Sequence, residues 1–406
     1  MKNRTLFKYL IPIWLWGILI APNLTAEVSS TVQAISVLWL TGVGLMLGGV
    51  KFLFPPVFHQ HPSIPILLGV FLLIVLPGSF FSLSPPTSLG LWATTLVGII
   101  TCAGLWCFLG PADFWYSLKL YAIIGLPILG LIFLPGYTID VELLMTGASA
   151  ERLGSFRNPN SIGMILMGLI FSTFTIQHKG LKTVLFLLGG LILFLTLSRS
   201  SIFGTIIGIG LLMLFQWKTI KRNHKLALGA SGILCLVVMS ALYGRQIIDL
   251  MDMATGFSDP TRGWGSFTNR SKAWQETFDL WVKYPILGVG YRMHEPYITS
   301  LSSAHNGYLA LLAETGLLGT IPMMAFLITC SFRVLREALN GLRIAQIGFA
   351  FICGIAFISV FERNLINFGN PTSIIHLMIL LMPRSGDRIK GVGSDASVPQ
   401  RALSPS

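Results

Sequence analysis

Ser303-Ala304-His305-Asn306-Gly307-Tyr308-Leu309-Ala310-Leu311-Leu312-Ala313-Glu314-Thr315-Gly316-Leu317-Leu318-Gly319 marks the passage from a long polar stretch into an apolar one. From Asn306 the chain stays apolar to about residue 332, enough for a helix that crosses a bilayer. Runs of the same kind predict helices at 6–22, 31–54, 63–82, 87–109, 114–135, 159–177, 181–197, 201–217, 226–243, 342–361 and 372–383, the last of them short. With 306–332 this makes about twelve spans and an all-α, polytopic helical membrane protein. The short alternating segments of a membrane barrel are absent. Composition agrees: 53% of the 406 residues are hydrophobic and 11% charged, against about 25% charged in a soluble domain.

The net charge of +12 raises the question of nucleic acid. No basic run is interleaved with aromatics, so no nucleic-acid partner is expected. The basic residues instead set an orientation. With the N-terminus in the cytoplasm, the inner connections hold Lys2, Arg4 and Lys8, then Lys51, Lys179 and Lys182, the cluster from Lys218 to Lys225, and Arg333, Arg336 and Arg343. The tail carries Arg384, Arg388, Lys390 and Arg401. The segment 152–160, the Ser198-Arg199-Ser200 turn, the long loop 244–305 and the Glu362-Arg363-Asn364 turn then gather on the outer face. Lys2, Arg4 and Lys8 also resemble the start of a signal peptide. Leu24, in Leu24-Thr25-Ala26, is bulky where a cleavage site wants a small residue, so the segment is taken as the first membrane helix. Cys102, Cys107, Cys235, Cys330 and Cys353 lie in apolar runs without metal-like spacing and are expected to be packing residues.

Three parts follow from this layout: N-terminal membrane helices over 1–150, a region 151–383 containing the loop 244–305, and a polar, disordered cytoplasmic tail over 384–406. Within the loop, Trp274, Phe278 and Trp281 recur at helical spacing among Lys272, Glu276, Asp279 and Lys283. This predicts an amphipathic helix over 268–283, lying at the membrane interface with its aromatics at headgroup depth.

The candidate site residues lie on the expected outer face, where positive charge is normally scarce. Arg152 and Arg157 precede Asn158-Pro159-Asn160, Arg199 sits between two apolar runs, and Arg270 opens the amphipathic helix. Arginine suits a phosphate or diphosphate through its planar fork of donors; an interfacial arginine can equally anchor a helix to headgroups. His305 opens a helix. A histidine near neutrality is a suitable base for a sugar hydroxyl, and a helix start disfavours its cation. The alternative role of His305 is an N-capping hydrogen bond. Glu314 is nine residues on, half a turn out of phase on an ideal helix, so it faces a neighbouring helix or a cavity. A carboxylate inside a membrane helix is a candidate for function. Glu362 and Arg363 either pair with each other or flank the site.

These residues resemble the O-antigen ligase and O-antigen polymerase superfamily. Four features carry the resemblance. They are Arg152-Leu153-Gly154-Ser155-Phe156 with Asn158-Pro159-Asn160; Leu197-Ser198-Arg199-Ser200; Asn269-Arg270-Ser271 with Trp274 and Pro285-Ile286-Leu287-Gly288-Val289-Gly290; and His305-Asn306, nine residues, then Gly316-Leu317-Leu318-Gly319. The resemblance implies a glycosyltransferase of the bacterial inner (plasma) membrane that faces the periplasm and needs neither metal nor cofactor. The donor would be a glycan linked to undecaprenyl diphosphate. The acceptor would be lipid A core, a second lipid-linked glycan or a protein. By the same resemblance His305 is the base, and Arg199, Arg270, Arg152 and Arg157 hold the diphosphate, with Asn306, Glu314 and Glu362 also at the substrate. Arg152 to Gly163 and Arg199 to Gly210 fit a spacing common in polymerases, so joining of lipid-linked repeat units is the alternative to ligation. A transporter or flippase is the alternative of another class. It predicts ionisable residues near the midplane and discontinuous helices in repeated halves.

Overall fold

A computed structural model describes residues 2–20, 26–134, 159–196, 198–217, 266–301, 303–363 and 365–383. Among them the fold is entirely helical. Helices α1 (Lys2–Ile20), α2 (Ala26–Gly48), α3 (Pro56–Gln60), α4 (Ser63–Phe80), α5 (Pro85–Gly104) and α6 (Pro111–Phe133) form the N-terminal half. Helices α7 (Pro159–Thr173), α8 (Lys179–Leu195), α9 (Arg199–Phe215), α10 (Ser266–Lys283), α11 (Gly307–Leu339), α12 (Arg343–Ile358) and α13 (Pro371–Leu380) follow. Each expected span coincides with a helix except 226–243, which lies outside the described residues, as do Lys218 to Lys225, Cys235 and the tail 384–406.

Five described stretches are long and apolar enough to cross a membrane: Ile35–Gln60, Ser63–Phe80, Pro85–Cys107, Pro111–Phe133 and Gly307–Leu339. Around the bundle Ile66, Leu73, Leu131, Leu187, Leu214, Ile321 and Phe332 are exposed. A water-soluble surface does not carry so much bare apolar area on so many helices, and this is a membrane protein. The interior holds Trp106, Tyr121, Phe114, Phe326 and Phe351, all fully buried. The expectation of a last span over 372–383 is corrected. Helix α13 has ten residues and rises about 15 Å, half of the hydrocarbon thickness. All its residues are buried within the protein, so it is a core helix.

Small residues decide the tightest packing. α9 and α12 run antiparallel, with Gly204 against the Gly354 carbonyl and Gly208 against the Ala350 carbonyl. A methyl group at either glycine would meet the other helix's backbone. This is close approach through small residues four apart, which replaces the missing hydrophobic drive between helices in lipid. The antiparallel pairing places Arg199, at the start of α9, at the same end of the bundle as the turn that follows α12. Ser198 and Ser201 lie against Gly163, so the start of α7 is there too. At the other end Arg4 Nε meets Asp113 Oδ2 at 2.5 Å, and Lys182 lies close enough to Arg343 to feel its charge. The basic helix ends thus stand apart from the end carrying Arg199.

Helix α10 is docked on the protein through Ala273, Thr277 and Leu280, all buried. They pack with Ile298, Ala304 and Ala310 and with Val289 and Ala313. This stripe is one residue off the expected aromatic one. Trp274 and Trp281 are half-buried beside it, whereas Phe278 and Val282 remain exposed. The aromatic residues thus flank the docked face, with the two tryptophans packed partly on the protein and Phe278 turned outward.

Candidate functional site

The start of α11 builds the site. Asn306 adopts an extended conformation and its Oδ1 accepts hydrogen bonds from the Tyr308 and Leu309 amides, each at 3.0 Å. It is therefore the N-cap, satisfying two of the helix's four orphan donors. The Gly307 amide donates to the Ser359 carbonyl at 2.7 Å and ties this helix start to the end of α12. His305, one residue earlier, has φ of 45°, a left-handed conformation uncommon outside glycine. The capping role open to His305 in the sequence falls to Asn306, and the imidazole is left for other work.

His305 Nδ1 lies 3.5 Å from Glu362 Oε2. The other oxygen of Glu362 accepts from Asn160 Nδ2 at 2.7 Å and from Arg270 Nη2 at 3.2 Å. Side chains from the entries of α7 and α11, from α10 and from the turn after α12 thus meet on one carboxylate. Glu362 is 6% exposed at its side chain and His305 22%, so the carboxylate is the buried anchor and the imidazole is the accessible group. An ionised carboxylate only accepts. The proton of a neutral His305 is then drawn to Nδ1, and Nε2 keeps its lone pair. This is how a carboxylate prepares a histidine as a base.

A second cluster stands directly beside the first. Glu314 Oε1 accepts from His294 Nδ1 and from Arg363 Nη2, both at 2.5 Å. Arg363 Nη1 reaches Glu295 Oε1, also at 2.5 Å. The buried His294 ring accepts at Nε2 from the Ala304 amide at 3.3 Å. A backbone amide can only donate, so His294 carries its proton on Nδ1, towards Glu314. The chain Arg363–Glu314–His294–Ala304 therefore ends on the residue before His305. Glu362 and Arg363, adjacent in sequence, do not pair with each other: one serves each cluster.

The position of Glu314 depends on a break in α11. Gly316 has φ 59° and ψ −170°, and the Pro285–Gly290 segment fills the gap. The Leu317 and Leu318 amides donate to the Pro285 and Ile286 carbonyls at 2.8 and 3.2 Å. In return the Val289 and Gly290 amides donate to the Ala313 and Glu314 carbonyls at 3.0 and 3.1 Å. Two motifs that read as separate in the sequence are thus two halves of one joint.

The loop between α10 and α11 is clamped by Glu276. Its carboxylate accepts from the amides of Thr299 and Ser300 at 2.9 and 3.1 Å and from their hydroxyls at 2.8 and 3.0 Å. These bonds, the Thr299 hydroxyl foremost, lower its pKa to about 2. A depressed carboxylate contributes stability above its unfolded value and loses it as pH falls towards the folded one. Protease nicking of this loop is expected to rise between pH 4.5 and about 2 in wild type. Glu276→Gln should be nicked faster at neutral pH and lose that acid dependence. Equal nicking of the two proteins at pH 7 would dismiss the clamp.

Of the residues expected at the site, His305, Asn306, Arg270, Glu314 and Glu362 come together. Asn306, Glu314 and Glu362, expected at the substrate, each have intramolecular partners. Arg199 is exposed at the first position of α9, at this end of the bundle. Arg152 and Arg157 lie outside the described residues. Sequence reasoning passed over His294 and Arg292 and did not single out Asn160 for its bond to Glu362.

The comparisons with known proteins bear on this end of the molecule. No curated protein matches the chain. The family model described as O-antigen ligase matches residues 184–324, a segment that contains Arg199, Arg270, His294, His305, Glu314 and both halves of the joint. Over this segment, about a third of its length, the chain is similar to the O-antigen ligase family.

Proposed function

We propose that this protein is an O-antigen ligase-like glycosyltransferase. It moves a glycan from an undecaprenyl-diphosphate carrier to an acceptor hydroxyl on the periplasmic side of the bacterial inner membrane. The observation that carries the reading is the convergence of Asn160, Arg270 and His305 on Glu362, at the end of the bundle where α9 begins with Arg199. His305 Nε2 takes the proton of the acceptor hydroxyl, and Glu362 steadies the imidazolium that results. The acceptor oxygen forms its bond to the anomeric carbon as the bond to the diphosphate oxygen breaks, so configuration inverts. The bonding electrons leave with undecaprenyl diphosphate. Arg199 and Arg270 hold the diphosphate and offset its charge, with Arg152 and Arg157 on the segment that leads to Asn160. No metal or cofactor takes part.

The break in α11 beside a buried glutamate is a feature that transporters also use. Here the backbone carbonyls at the break, those of Ala313 and Glu314, accept from the Val289 and Gly290 amides, and the Glu314 carboxylate is paired on both sides. Neither is left open for a coupling ion, which favours the enzyme. The test is transfer by purified protein in nanodiscs, with EDTA present. The donor is an oligosaccharide on undecaprenyl diphosphate. Lipid A core, a second lipid-linked glycan and an acceptor protein are supplied in separate reactions. Product with lipid A core is expected; product only with the second glycan makes the protein a polymerase. Folded protein that binds donor yet yields nothing with any acceptor points to transport.

A further inference from the structure

Arg292 is out of balance with the cluster around it. The two carboxylates nearby, Glu314 and Glu295, are both held by Arg363 at 2.5 Å, and Glu314 also receives His294. Among the described residues Arg292 has no hydrogen-bond acceptor and no ion-pair partner within bonding distance. It is half-buried, and it lines a cavity together with Arg363, Glu314, Phe71, Leu311 and Met323. Its backbone has φ of 60°, a left-handed conformation that disfavours a residue with a side chain. Burial, and then the charge of Arg363, work against its cationic form and lower its pKa. A guanidinium carries five donors in a rigid fork, and among the described residues none of those of Arg292 is met. The strained backbone therefore holds a cation next to a second cation, with no carboxylate among the described residues within ion-pair distance of it.

We propose that Arg292, backed by Arg363, is a receptor for an oxyanion group, a phosphate or a carboxylate, that enters the cavity beside Gly307. The fork matches two oxygens of such a group at once. The unpaired charge of Arg292 favours a charged ligand over a neutral hydroxyl, and the apolar residues of the lining limit the water that would screen the pair. The cavity adjoins the start of α11, two residues from His305, so the bound anion sits at the mouth of the site. The anion comes either from a phosphate on the lipid carrier or from the carboxylate of an acidic sugar in the glycan. This receptor is distinct from Arg199 and Arg270, and its existence does not depend on glycan transfer.

The test reads binding by full-length protein in nanodiscs of zwitterionic lipid. Inorganic phosphate, glucuronate and, as the neutral control, glucose are titrated at matched ionic strength, and thermal unfolding is followed. Phosphate or glucuronate is expected to stabilise the protein saturably and glucose is not. The tighter of the two anions identifies the source. Arg292→Gly, which relaxes the backbone at φ 60° and so should fold, is expected to weaken that binding by more than about tenfold. Arg292→Lys, which keeps the charge but loses the fork, should fall between the two. Lys272→Gln, at an exposed cation of α10, should bind as wild type does. The proposal is overturned if neither anion stabilises folded wild type, if glucose does as well as glucuronate, or if Arg292→Gly keeps wild-type affinity.

Discussion

His305→Ala is expected to lower glycan transfer by about two to four orders of magnitude, with donor affinity nearly unchanged. The imidazole is accessible and its one hydrogen-bond contact among the described residues is long, 3.5 Å to Glu362 Oε2, so its removal takes little from the fold. The helix cap survives because it belongs to Asn306. A sharper test is Glu362→Gln. Asn160 and Arg270 both donate to Oε1, so the amide oxygen of the glutamine would take that place. Its NH2 group would then face His305 Nδ1. A donor facing Nδ1 favours the opposite tautomer, with the proton on Nε2 and no lone pair where the acceptor hydroxyl arrives. Loss of about two to four orders of magnitude is expected, as when a histidine base is set in the wrong tautomer. Single-turnover transfer at saturating donor separates this from weakened binding. Near-wild-type turnover by folded Glu362→Gln would remove the carboxylate from the mechanism. Near-wild-type turnover by His305→Ala would remove the base.

The sequence disclosed the helices and the mouth of the site because both rest on local chemistry. Apolar runs of spanning length have no soluble alternative, and a His-Asn pair before such a run reads as a helix entry from sequence alone. What was hidden depends on contacts across the chain. His294 sits in a stretch rich in turn residues, with nothing local to show that it is fully buried against Glu314. Glu362 and Arg363 are legible as a charged pair at a helix end, yet only the fold sends each to a different partner. The docking stripe of α10 was obscured for a related reason. Its aromatics dominate any estimate of the apolar face, whereas close approach to α11 is made by Ala273, which packs with Ala310 and is small enough to permit it. Helix α13 reads as a span because burial in protein and burial in lipid demand the same residues.

Gly316→Ala is expected to cost the protein its stable fold, although it adds one methyl group. Gly316 occupies a backbone region essentially closed to residues with a Cβ, and such strain alone costs about 1–3 kcal/mol. The added Cβ would also overlap the carbonyl of Ile286. That carbonyl cannot yield, since it accepts from the Leu318 amide and its neighbour Pro285 accepts from Leu317. Gly288, with φ 70°, faces the reciprocal limit: a Cβ there would overlap the Glu314 carbonyl. The two glycines let a loop lie directly on a broken helix and satisfy its exposed donors, as any irregular backbone within a membrane helix requires. Forcing them apart frees the Leu317 and Leu318 amides and shifts Glu314, on which His294 and Arg363 converge. The combined cost should exceed about 3 kcal/mol, seen as loss of monodisperse protein and a large drop in the unfolding midpoint. Gly190→Ala is the matched control: it lies within α8, nothing stands within 4 Å of its added Cβ, and it should be neutral or gain about 0.5–1 kcal/mol. Equal midpoints for the two variants would mean that the joint does not hold α11 together, and the site at its mouth would then need another support.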